Sequence, residues 1–319
     1  LSINPYRKGE SRKWKFSEQW ALENEINTDV DIEKAWDYTQ GSEDIVVAVI
    51  DSGVDYQHQD LQQQIWTNQG EIPQNNVDDD NNGFVDDFMG WNFFANTNDP
   101  MDDNSHGTHC AGIIAGQGIE VYGVAPKTKI MPLKFLGANG SGSTAGAIAA
   151  IDYGISMKAH VLNNSWGGGA YSVLLKEVLE KATRKGLVVV AAAGNYGKDL
   201  ASHKLYPASY KIGGLITVSN LTEKGVLNLY SNFGRNYSHI AAPGTNIMST
   251  VPGNRYASYS GTSMAAPFVS GGVALLLAQN KNLKPKVVTD MIMKYGKQRE
   301  SLKGKVMSQA TLSIGGALE

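Results

Sequence analysis

The chain has 319 residues, which is enough for one large α/β domain or two ordinary ones. Charged residues make up 18% and there are 35 glycines, as is typical of a closely packed globular protein with many tight turns. A net charge of −3 supplies no attraction to nucleic acid or acidic membranes, and no apolar run approaches the roughly 18 residues of a membrane span. Neither is therefore expected as a partner.

The N-terminal residues and the cysteine content indicate how the chain is organised and what can stabilise it. Residues 1–16 are basic and lack apolar periodicity, so we interpret them as a surface arm and residues 17–319 as a single domain. The sequence begins at Leu1 without an initiator methionine or a signal peptide, which suggests a mature form or a trimmed chain. Cys110 is the only cysteine, so no disulfide can form within the chain and extra stability must come from packing or bound ions.

In chain order, two short helices are predicted first, at residues 18–23 and 31–37, and strands and helices then alternate. Strands are predicted at residues 45–50, 129–135, 161–164, 187–193, 215–219 and 238–242, and helices at residues 106–115, 144–158 and 171–185. This alternation predicts an α/β fold with a doubly wound, mostly parallel sheet and helices on both faces. Ligands of such sheets bind beyond the carboxyl ends of the strands, where Asp51 and Asn195 follow two predicted strands.

A serine-containing segment near the C-terminus carries the clearest chemical signal. Gly-Thr-Ser-Met-Ala-Ala-Pro at residues 261–267 leads into an apolar run that ends at Ala278. Small residues before apolar ones predict a buried helix with Ser263 in its first turn. The unpaired N–H groups at that end attract negative charge. Ser263 can therefore be a nucleophile, because these N–H groups can donate hydrogen bonds to the oxyanion that forms on the substrate carbonyl. A serine hydroxyl also needs a neighbouring base.

Two other segments supply a base and a carboxylate. Val-Ala-Val-Ile-Asp-Ser-Gly at residues 47–53 places Asp51 at a strand end, and His-Gly-Thr-His-Cys-Ala-Gly at residues 106–112 places His106 at a helix start. The chain order Asp, His, Ser is one of three known orders of the acyl-transfer triad. With all three motifs in this order, residues 17–306 resemble the subtilase family of subtilisin-like serine endopeptidases.

The resemblance implies a role for each of these residues. Ser263 would attack the scissile carbonyl, His106 would move the proton, and Asp51 would orient the imidazole. Asn195 matches the side-chain donor of the oxyanion hole, assisted by the backbone N–H of Ser263. The resemblance further implies a secreted enzyme that acts on polypeptides, an N-terminal propeptide removed on maturation, and a monomer.

The resemblance also implies a substrate cleft between two chain edges that pair with the substrate backbone. The first edge contains Gly140, Ser141 and Gly142, the second contains Ser165, Trp166, Gly167 and Gly168, and Ala192 and Gly194 help to wall the primary pocket. Leu205 falls where many relatives have glycine at the pocket floor. If its side chain points inward, large aromatic residues before the scissile bond are disfavoured, and if it points away, broad apolar specificity remains.

An acidic loop at residues 78–87 resembles a calcium-binding loop, and some subtilases carry a similar insertion before the catalytic histidine. Its candidate ligands at loop positions one, three, five, seven and nine are Asp78, Asp80, Asn82, the Phe84 carbonyl and Asp86. Met89 stands where such loops usually have glutamate, but five acidic residues this close would repel one another without a cation. We therefore predict structural Ca²⁺ here.

Two departures from the family pattern concern other positions. Residues 116–123 form a shorter loop than the one that holds the strong calcium site of bacterial subtilisins, which weakens a ligand role for Asp60. Ser105 precedes His106 where many relatives have glycine.

Other functions fit the sequence less well. His106 and His109 have the spacing of a zinc pair, but no third ligand is evident, and the resemblance makes His109 structural. The glycines after residue 136 do not have dinucleotide-loop spacing, and an α/β-hydrolase esterase would need glycine in place of Ala265. Cys110 is interpreted as a small buried hydrophobic residue. The alternative that stays open is a catalytically inactive subtilase-fold binding protein.

Overall fold

The structure, a computed structural model, describes residues 16, 18–168 and 170–319. The strands are β1 (Val46–Asp51), β2 (Trp91–Asn92), β3 (Lys129–Lys134), β4 (Val161–Asn164), β5 (Val188–Ala192), β6 (Leu215–Leu221), β7 (Ile240–Pro243), β8 (Ile247–Val251), β9 (Arg255–Tyr259), β10 (Lys297–Gln298) and β11 (Ala310–Thr311). The helices are α1 (Ile32–Trp36), α2 (His106–Ala115), α3 (Thr144–Ser156), α4 (Val173–Arg184), α5 (Thr262–Gln279), α6 (Pro285–Lys294) and α7 (Ile314–Leu318), with a 3-10 helix at Glu300–Leu302.

Among the described residues, nine strands form one sheet in the order β10-β11-β7-β6-β5-β4-β1-β3-β2. Neighbouring strands are parallel except β10 and β11, and β8 and β9 form a separate antiparallel hairpin. The two sheet neighbours of β1 are β3 and β4, so β1 lies near the middle of the parallel part. The carboxyl ends of β5, β4, β1 and β3 therefore lie side by side at one edge.

Both faces of the sheet are covered, which explains the continuous apolar runs in its central strands. Val47 and Val49 of β1 pack into a core shared with α2, α5 and α6. Val46, Ala48 and Ile50 point to the opposite core, which is shared with α3 and α4. Helices on both faces of a mostly parallel sheet confirm the predicted doubly wound α/β fold.

Most predicted elements are confirmed, and α2 and β4 have the predicted bounds. The predicted helix at residues 18–23 is wrong, and the structure has turns there. The N–H groups of Leu22 and Glu23 bond the Gln19 carbonyl in a single turn that does not continue. The side chain of Gln19 bonds both the N–H and the carbonyl of Tyr122, so tertiary hydrogen bonds also hold this short segment. Most of the predicted N-terminal arm, residues 1–15, lies outside the described residues. Its last residue, Phe16, packs against Trp36 and Tyr122 and belongs to the core.

Helix α5 is the buried helix predicted around Ser263. In the part of the chain that the structure describes, it is the one helix long and apolar enough to cross a membrane, and 83% of it is buried within the protein. The count of uninterrupted apolar runs missed this length, because glycine, serine and proline interrupt the apolar run within the continuous helix. Burial of nearly every side chain makes α5 the central core helix, and its first turn lies at the carboxyl edge of the sheet.

Candidate active site

Polar residues follow three adjacent strands at the carboxyl edge of the sheet. Asp51 is the last residue of β1, Ser165 follows β4, and Asn195 comes three residues after β5. The first turns of α2 and α5 bring His106 and Ser263 to the same edge. The structure thus brings together side chains that lie up to about two hundred residues apart in the sequence.

Asp51 and His106 are joined by a short hydrogen bond. His106 Nδ1 donates to Asp51 Oδ1 at 2.7 Å, and the backbone N–H of Ser52 donates to the same oxygen at 2.7 Å. Asp51 is fully buried, whereas 29% of the His106 side chain is exposed on the cavity side. This bond selects the imidazole tautomer that has its proton on Nδ1 and leaves Nε2 free to accept a proton.

The pKa of His106 is raised above its ordinary value. Burial alone would lower this pKa, but the charge and hydrogen bond of Asp51, with the charge of Asp102, outweigh burial and favour the imidazolium. Asp51 Oδ2 has no hydrogen-bond partner among the described residues, so little else neutralises the carboxylate charge. The arrangement suits a base that must hold a proton for part of a reaction cycle.

Ser263 is held by reciprocal hydrogen bonds with Ser165. Ser263 Oγ donates to the Ser165 carbonyl at 2.9 Å, and Ser165 Oγ donates to the Ser263 carbonyl at 2.9 Å. The Ser263 carbonyl is available for the second bond because Pro267, four residues later, has no backbone N–H to form the usual helical hydrogen bond with it. Among the described residues no hydrogen bond joins Ser263 to His106, although both line one cavity.

The Asn195 amide is oriented by the start of α5. Asn195 Oδ1 accepts the backbone N–H of Thr262 at 2.8 Å and its hydroxyl at 3.1 Å. Two donors identify the oxygen, so the amide nitrogen must face the other way. Within the described part of the chain, neither Asn195 Nδ2 nor the Ser263 N–H has an acceptor. Two donors without a protein acceptor therefore belong to residues that line the same cavity as the Ser263 hydroxyl.

A cavity of about 360 Å³ opens in front of these groups. Of the predicted substrate-binding residues, it is lined by Gly140, Ser165, Trp166, Gly167, Ala192, Gly194 and Leu205, together with Asn195. Ser141 and Gly142 line a neighbouring cavity of about 370 Å³ together with three phenylalanines. Gly168 lines neither cavity, and its N–H bonds the Tyr206 carbonyl at 3.0 Å.

Leu205 points into the first cavity. A Cβ added to Gly167 would lie 2.9 Å from Leu205 Cδ2, and one added to Gly194 would clash with the same methyl group. Leu205 therefore packs closely against both glycines, and the φ of 98° at Gly194 is a second reason why glycine suits that position. Leu205 therefore lines the cavity between Gly167 and Gly194.

Four residues that line the cavity were not predicted from the sequence: Asn104, Leu136, Tyr196 and Thr262. Each lies within four residues of a predicted site residue, so chain proximity was the available signal. Asn104 Nδ2 also donates to the Ala138 carbonyl at 2.8 Å, which ties the loop before His106 to the first substrate edge.

His109 does not join His106 in a metal pair. Its ring stacks on Tyr259 with centroids 4.4 Å apart, and Nε2 bonds the Ala257 carbonyl at 3.0 Å. Burial, which is complete for this side chain, lowers the pKa of His109 to about 4, so the imidazole stays neutral. These contacts make His109 a structural residue.

Cys110 Sγ, one carboxylate oxygen of Asp51 and one ring nitrogen of His106 lie within 4.8 Å of one another. Burial raises the pKa of the Cys110 thiol well above its ordinary value, and the thiol donates to the Ser263 carbonyl at 3.5 Å. A thiol that stays protonated is a poor nucleophile and a poor metal ligand.

The acidic loop brings together a different set of carboxylates from the predicted one. Ligand atoms of Asp80, Glu71 and Asp87 lie within 4.8 Å of one another, and Glu71 and Asp87 are buried. Asp86 is turned away, because its two oxygens accept the N–H groups of Asn75 and Asn76 at 3.0 and 2.9 Å. Glu71 comes seven residues before the predicted loop and Asp87 one residue after its last predicted ligand, so the spacing rule missed both.

The other predicted ligands hold the loop in shape. Asp78 accepts the N–H groups of Asn82 and Gly83 at 3.0 and 2.8 Å. Asn82 Nδ2 donates to Asp80 and to Asp87, so this amide links two of the clustered carboxylates. The Phe84 ring packs against Trp91, Phe93 and Tyr153 and anchors the loop on the sheet side.

Asp60 is saturated by protein donors. It is fully buried and accepts the N–H groups of Ile119, Glu120 and Val121 and the hydroxyl of Tyr256. The short loop at residues 116–123 therefore folds its own backbone onto this carboxylate.

Ser105 has a left-handed backbone conformation with φ of 98°. This region is strained for residues with a Cβ, which explains why glycine suits the position before His106. Ser105 Oγ contacts the Tyr259 hydroxyl at 2.9 Å, so the side chain is held in place.

An acidic, a basic and a nucleophilic side chain that meet in this chain order at the edge of a doubly wound sheet define a subtilisin-type hydrolase site. The chain belongs to the subtilase family, whose model matches residues 42–306. It is 40% identical over 251 residues to the thermophilic serine proteinase of Bacillus sp. strain AK1, covering 78% of this chain and 56% of that protein. It is 34% identical over 292 residues to subtilisin-like protease 1 of Plasmodium berghei, covering 84% of this chain and 48% of that protein.

A solved structure of a cold-adapted subtilisin-like serine proteinase matches with a TM-score of 0.68 and 30% identity, covering 82% of this chain and 88% of the other. The chain spans about half the length of the two curated relatives. This chain therefore shares the family and the fold of these enzymes.

Proposed function

We propose that this chain is a serine endopeptidase in which Ser263 is the nucleophile, His106 the general base and acid, and Asp51 the residue that orients the imidazole. The observation that carries this proposal is the 2.7 Å bond from His106 Nδ1 to Asp51 Oδ1, which leaves Nε2 free to take a proton in the cavity that Ser263 lines. The names of the relatives, serine proteinase and subtilisin-like protease, support peptide bonds as the substrate.

In the first step Ser263 Oγ leaves the Ser165 carbonyl, gives its proton to His106 Nε2 and bonds the substrate carbonyl carbon. The imidazolium then donates that proton to the departing amine as the carbon–nitrogen bond breaks. Water then gives a proton to the same imidazole and attacks the acyl carbon. The imidazolium returns the proton to Ser263 Oγ as the ester bond to the acyl group breaks and the carboxylic acid product leaves. The raised pKa of His106 supports this role, because Asp51 and Asp102 stabilise the protonated ring formed in both halves of the cycle.

Stabilisation of the oxyanion is assigned to Asn195 Nδ2 and the Ser263 N–H. Thr262 fixes the Asn195 amide before substrate binds, so the donor is in place without reorganisation during the reaction. The start of α5 adds the positive end of a helix dipole.

The inward Leu205 supports a preference for small and medium aliphatic residues before the scissile bond. Trp166, Ala192 and Leu205 give the cavity an apolar lining, whereas the filled floor shortens it. Large aromatic side chains are therefore disfavoured within a broad apolar specificity. Backbone pairing along the two substrate edges supports tolerance at other positions.

A structural Ca²⁺ ion is proposed at the carboxylates of Glu71, Asp80 and Asp87. Their oxygens are hard ligands that suit Ca²⁺, and three carboxylates within 4.8 Å repel one another without a cation. Burial and the neighbouring charges of Asp87 and Asp80 raise the pKa of Glu71, despite two backbone hydrogen bonds that lower it. A bound cation would relieve this repulsion and stabilise the loop that precedes His106.

Secretion, removal of an N-terminal propeptide and a monomeric state are also proposed, supported by membership of the subtilase family. Expression of the full gene product with analysis of the mature N-terminus and of the molecular mass tests all three.

The central proposal is tested by treating the protein with a fluorophosphonate, mapping the adduct and measuring casein cleavage. We expect label on Ser263, and loss of label and cleavage in Ser263→Ala. Ser260→Ala is the matched control, because it removes an exposed hydroxyl three residues away. Label on another residue, or unchanged cleavage by Ser263→Ala, would support a different mechanism, whereas a wild-type protein with neither label nor cleavage would support the inactive binding protein.

A further inference from the structure

The carboxylate of Asp102 holds the loop that leads to His106. Asp102 is 5% exposed and accepts five hydrogen bonds. Oδ1 accepts from Ser52 Oγ and from the N–H groups of Asn104 and Ser105, each at 2.9 Å. Oδ2 accepts from Thr108 N at 2.9 Å and Thr108 Oγ1 at 2.6 Å.

These bonds connect the two elements that carry Asp51 and His106. Ser52 follows Asp51 at the end of β1, and its hydroxyl oxygen also accepts the Gly107 N–H at 2.9 Å. Through Ser52 and Thr108, Asp102 therefore links the end of β1 to the first turn of α2. The bond from His106 Nδ1 to Asp51 Oδ1 spans the same junction.

Asp102 also caps α2 in place of the residue at the N-cap position. Ser105 occupies that position without a side-chain cap bond, and its φ of 98° is unfavourable for serine. Strained residues persist only where surrounding contacts determine them. Asp102 supplies such contacts, since it bonds the Ser105 N–H and the orphan N–H of Thr108 in the first helical turn.

We propose that Asp102 is a positioning residue for the proposed hydrolysis, one that fixes the His106 imidazole on Asp51 and stabilises its protonated form. The proposal rests on the proposed function for its catalytic consequence. Asp102 lines neither cavity, so it acts through the groups that it bonds and not by contact with substrate.

The electrostatic part follows from the groups that surround the imidazole. The titratable residues at this junction are Asp51 from β1, Asp102 and Asp103 from the preceding loop, His109 and Cys110 from α2, and Lys134 from β3, whose ammonium donates to the Ser52 carbonyl. Lys134 is paired with Asp103 at 2.6 Å, and the imidazole of His109 and the thiol of Cys110 stay neutral. Asp51 and Asp102 therefore remain as the uncompensated anions that favour imidazolium.

The test variant is Asp102→Asn, and Asp55→Asn is its matched control. An amide in place of Asp102 has one acceptor oxygen, so it cannot satisfy both groups of donors. Asp55 is also buried, and it accepts the N–H groups of Gln57 and Gly253 at 3.0 and 2.8 Å. It does not contribute to the pKa of His106, so Asp55→Asn tests the loss of a buried carboxylate alone.

Peptide hydrolysis is measured per folded molecule against pH, and the His106 pKa is measured by NMR in a Ser263→Ala background. We expect Asp102→Asn to lower kcat about ten- to a hundredfold with little change in KM, as for a small misplacement of reacting groups. Its acid limb should move to lower pH, because removal of an anion lowers the His106 pKa. Asp55→Asn should leave the limb and the His106 pKa unchanged.

An unchanged or raised His106 pKa in Asp102→Asn overturns the proposal. If that variant does not fold, Ser52→Ala provides the test, because it removes the bridge between Asp102 and Gly107 but keeps the charge. Lower kcat at constant KM supports the positioning role, and unchanged kcat overturns it. An inactive wild-type protein without label on Ser263 would refute the proposed function, whereas the NMR titration would still report on Asp102.

Discussion

Asn195 Oδ1 accepts the backbone N–H of Thr262 at 2.8 Å, and this bond fixes the Asn195 amide in the wall of the cavity that Ser263 also lines. If Nδ2 binds the oxyanion, Asn195→Ala should lower kcat and leave KM nearly unchanged, because the donor acts mainly in the transition state. Loss of one such donor in subtilisin itself, a member of this family, costs about 10²- to 10³-fold in kcat. Steady-state kinetics on a chromogenic peptide measure the effect.

Asn195→Asp is the informative comparison for that experiment. The aspartate keeps an oxygen for the Thr262 N–H but replaces the donor with a negatively charged acceptor, so it should be less active than Asn195→Ala. Asn195→Asp with activity equal to the wild type would rule out the oxyanion role.

The position of Leu205 between Gly167 and Gly194 leads to a prediction about specificity. Leu205→Gly should deepen the cavity and raise the ratio of kcat/KM for phenylalanine over alanine before the scissile bond. The expected rise is at least about tenfold, since even one methylene in a hydrophobic pocket is worth about 1–3 kcal/mol. Peptides that differ only at this position measure the ratio.

Leu229→Gly is the matched control, since it makes the same truncation at a side chain that is 91% exposed and lines neither cavity. It should leave the ratio unchanged. Equal ratios in Leu205→Gly and the wild type would mean that Leu205 does not limit the pocket.

The sequence allowed the sheet to be predicted where burial on both faces leaves a continuous apolar run, as in β1 and β5. It did not reveal the hairpin of β8 and β9, although Pro252 and Gly253 are turn residues between its strands. Its second strand is partly exposed and mixes polar with aromatic residues, so its sequence lacks the alternation of apolar and polar residues that predicts a strand. The turns at residues 18–23 depend on the contacts of Gln19 with Tyr122, 103 residues away, which local propensity does not contain.

The site could be predicted as a set of residues because its motifs retain their chain order. Its supporting contacts could not be predicted, because they depend on three-dimensional proximity. Nothing local marks Asp102 as the cap of α2 or Thr262 as the anchor of Asn195. In the acidic loop, spacing suggested Asp86 as a ligand, but pairing of Asp86 with the backbone of Asn75 and Asn76 leaves Asp87 to face Glu71.

Removal of calcium should lower the melting temperature of the inactive variant Ser263→Ala, in which autolysis cannot interfere. An ion that binds only the folded protein stabilises it by about 2.7 kcal/mol at a hundred times its dissociation constant. Thermal unfolding in calcium and in EDTA measures the difference. The difference should disappear in Glu71→Gln, which removes one of the three clustered carboxylates.

Asp152→Asn is the control for Glu71→Gln, since Asp152 is an exposed acidic residue on α3 outside the acidic loop. It should keep the full calcium response. Identical melting curves of the parent protein in calcium and EDTA would refute the site.

The raised pKa of His106 predicts the pH dependence of activity. Peptide hydrolysis needs the neutral imidazole, so kcat/KM should fall on acidification with a midpoint above about 6.5, the ordinary value for histidine. Initial rates between pH 4 and 9 measure this midpoint. A rate that stays constant down to pH 4 would remove His106 as the base.

Two other histidines predict how stability depends on pH. The pKa of His109 and that of His239 are each lowered to about 4, chiefly by burial. In the unfolded chain these histidines bind protons near pH 6.5, whereas in the folded protein they do so only near pH 4. The free energy of unfolding therefore has its full value above pH 6.5 and falls as the pH decreases toward 4. For His109, which is fully buried, the loss is on the order of 3 kcal/mol.

Urea unfolding of Ser263→Ala at pH 7, 5.5 and 4 in saturating calcium measures this loss, and His239→Asn tests its origin. His239 Nδ1 accepts the Thr217 N–H at 3.0 Å, and the asparagine oxygen can accept the same bond without titrating. The variant should therefore lose less stability between pH 7 and pH 4 than the parent protein. An equal loss in both would show that His239 does not contribute, because a group with the same pKa in both states adds no pH dependence.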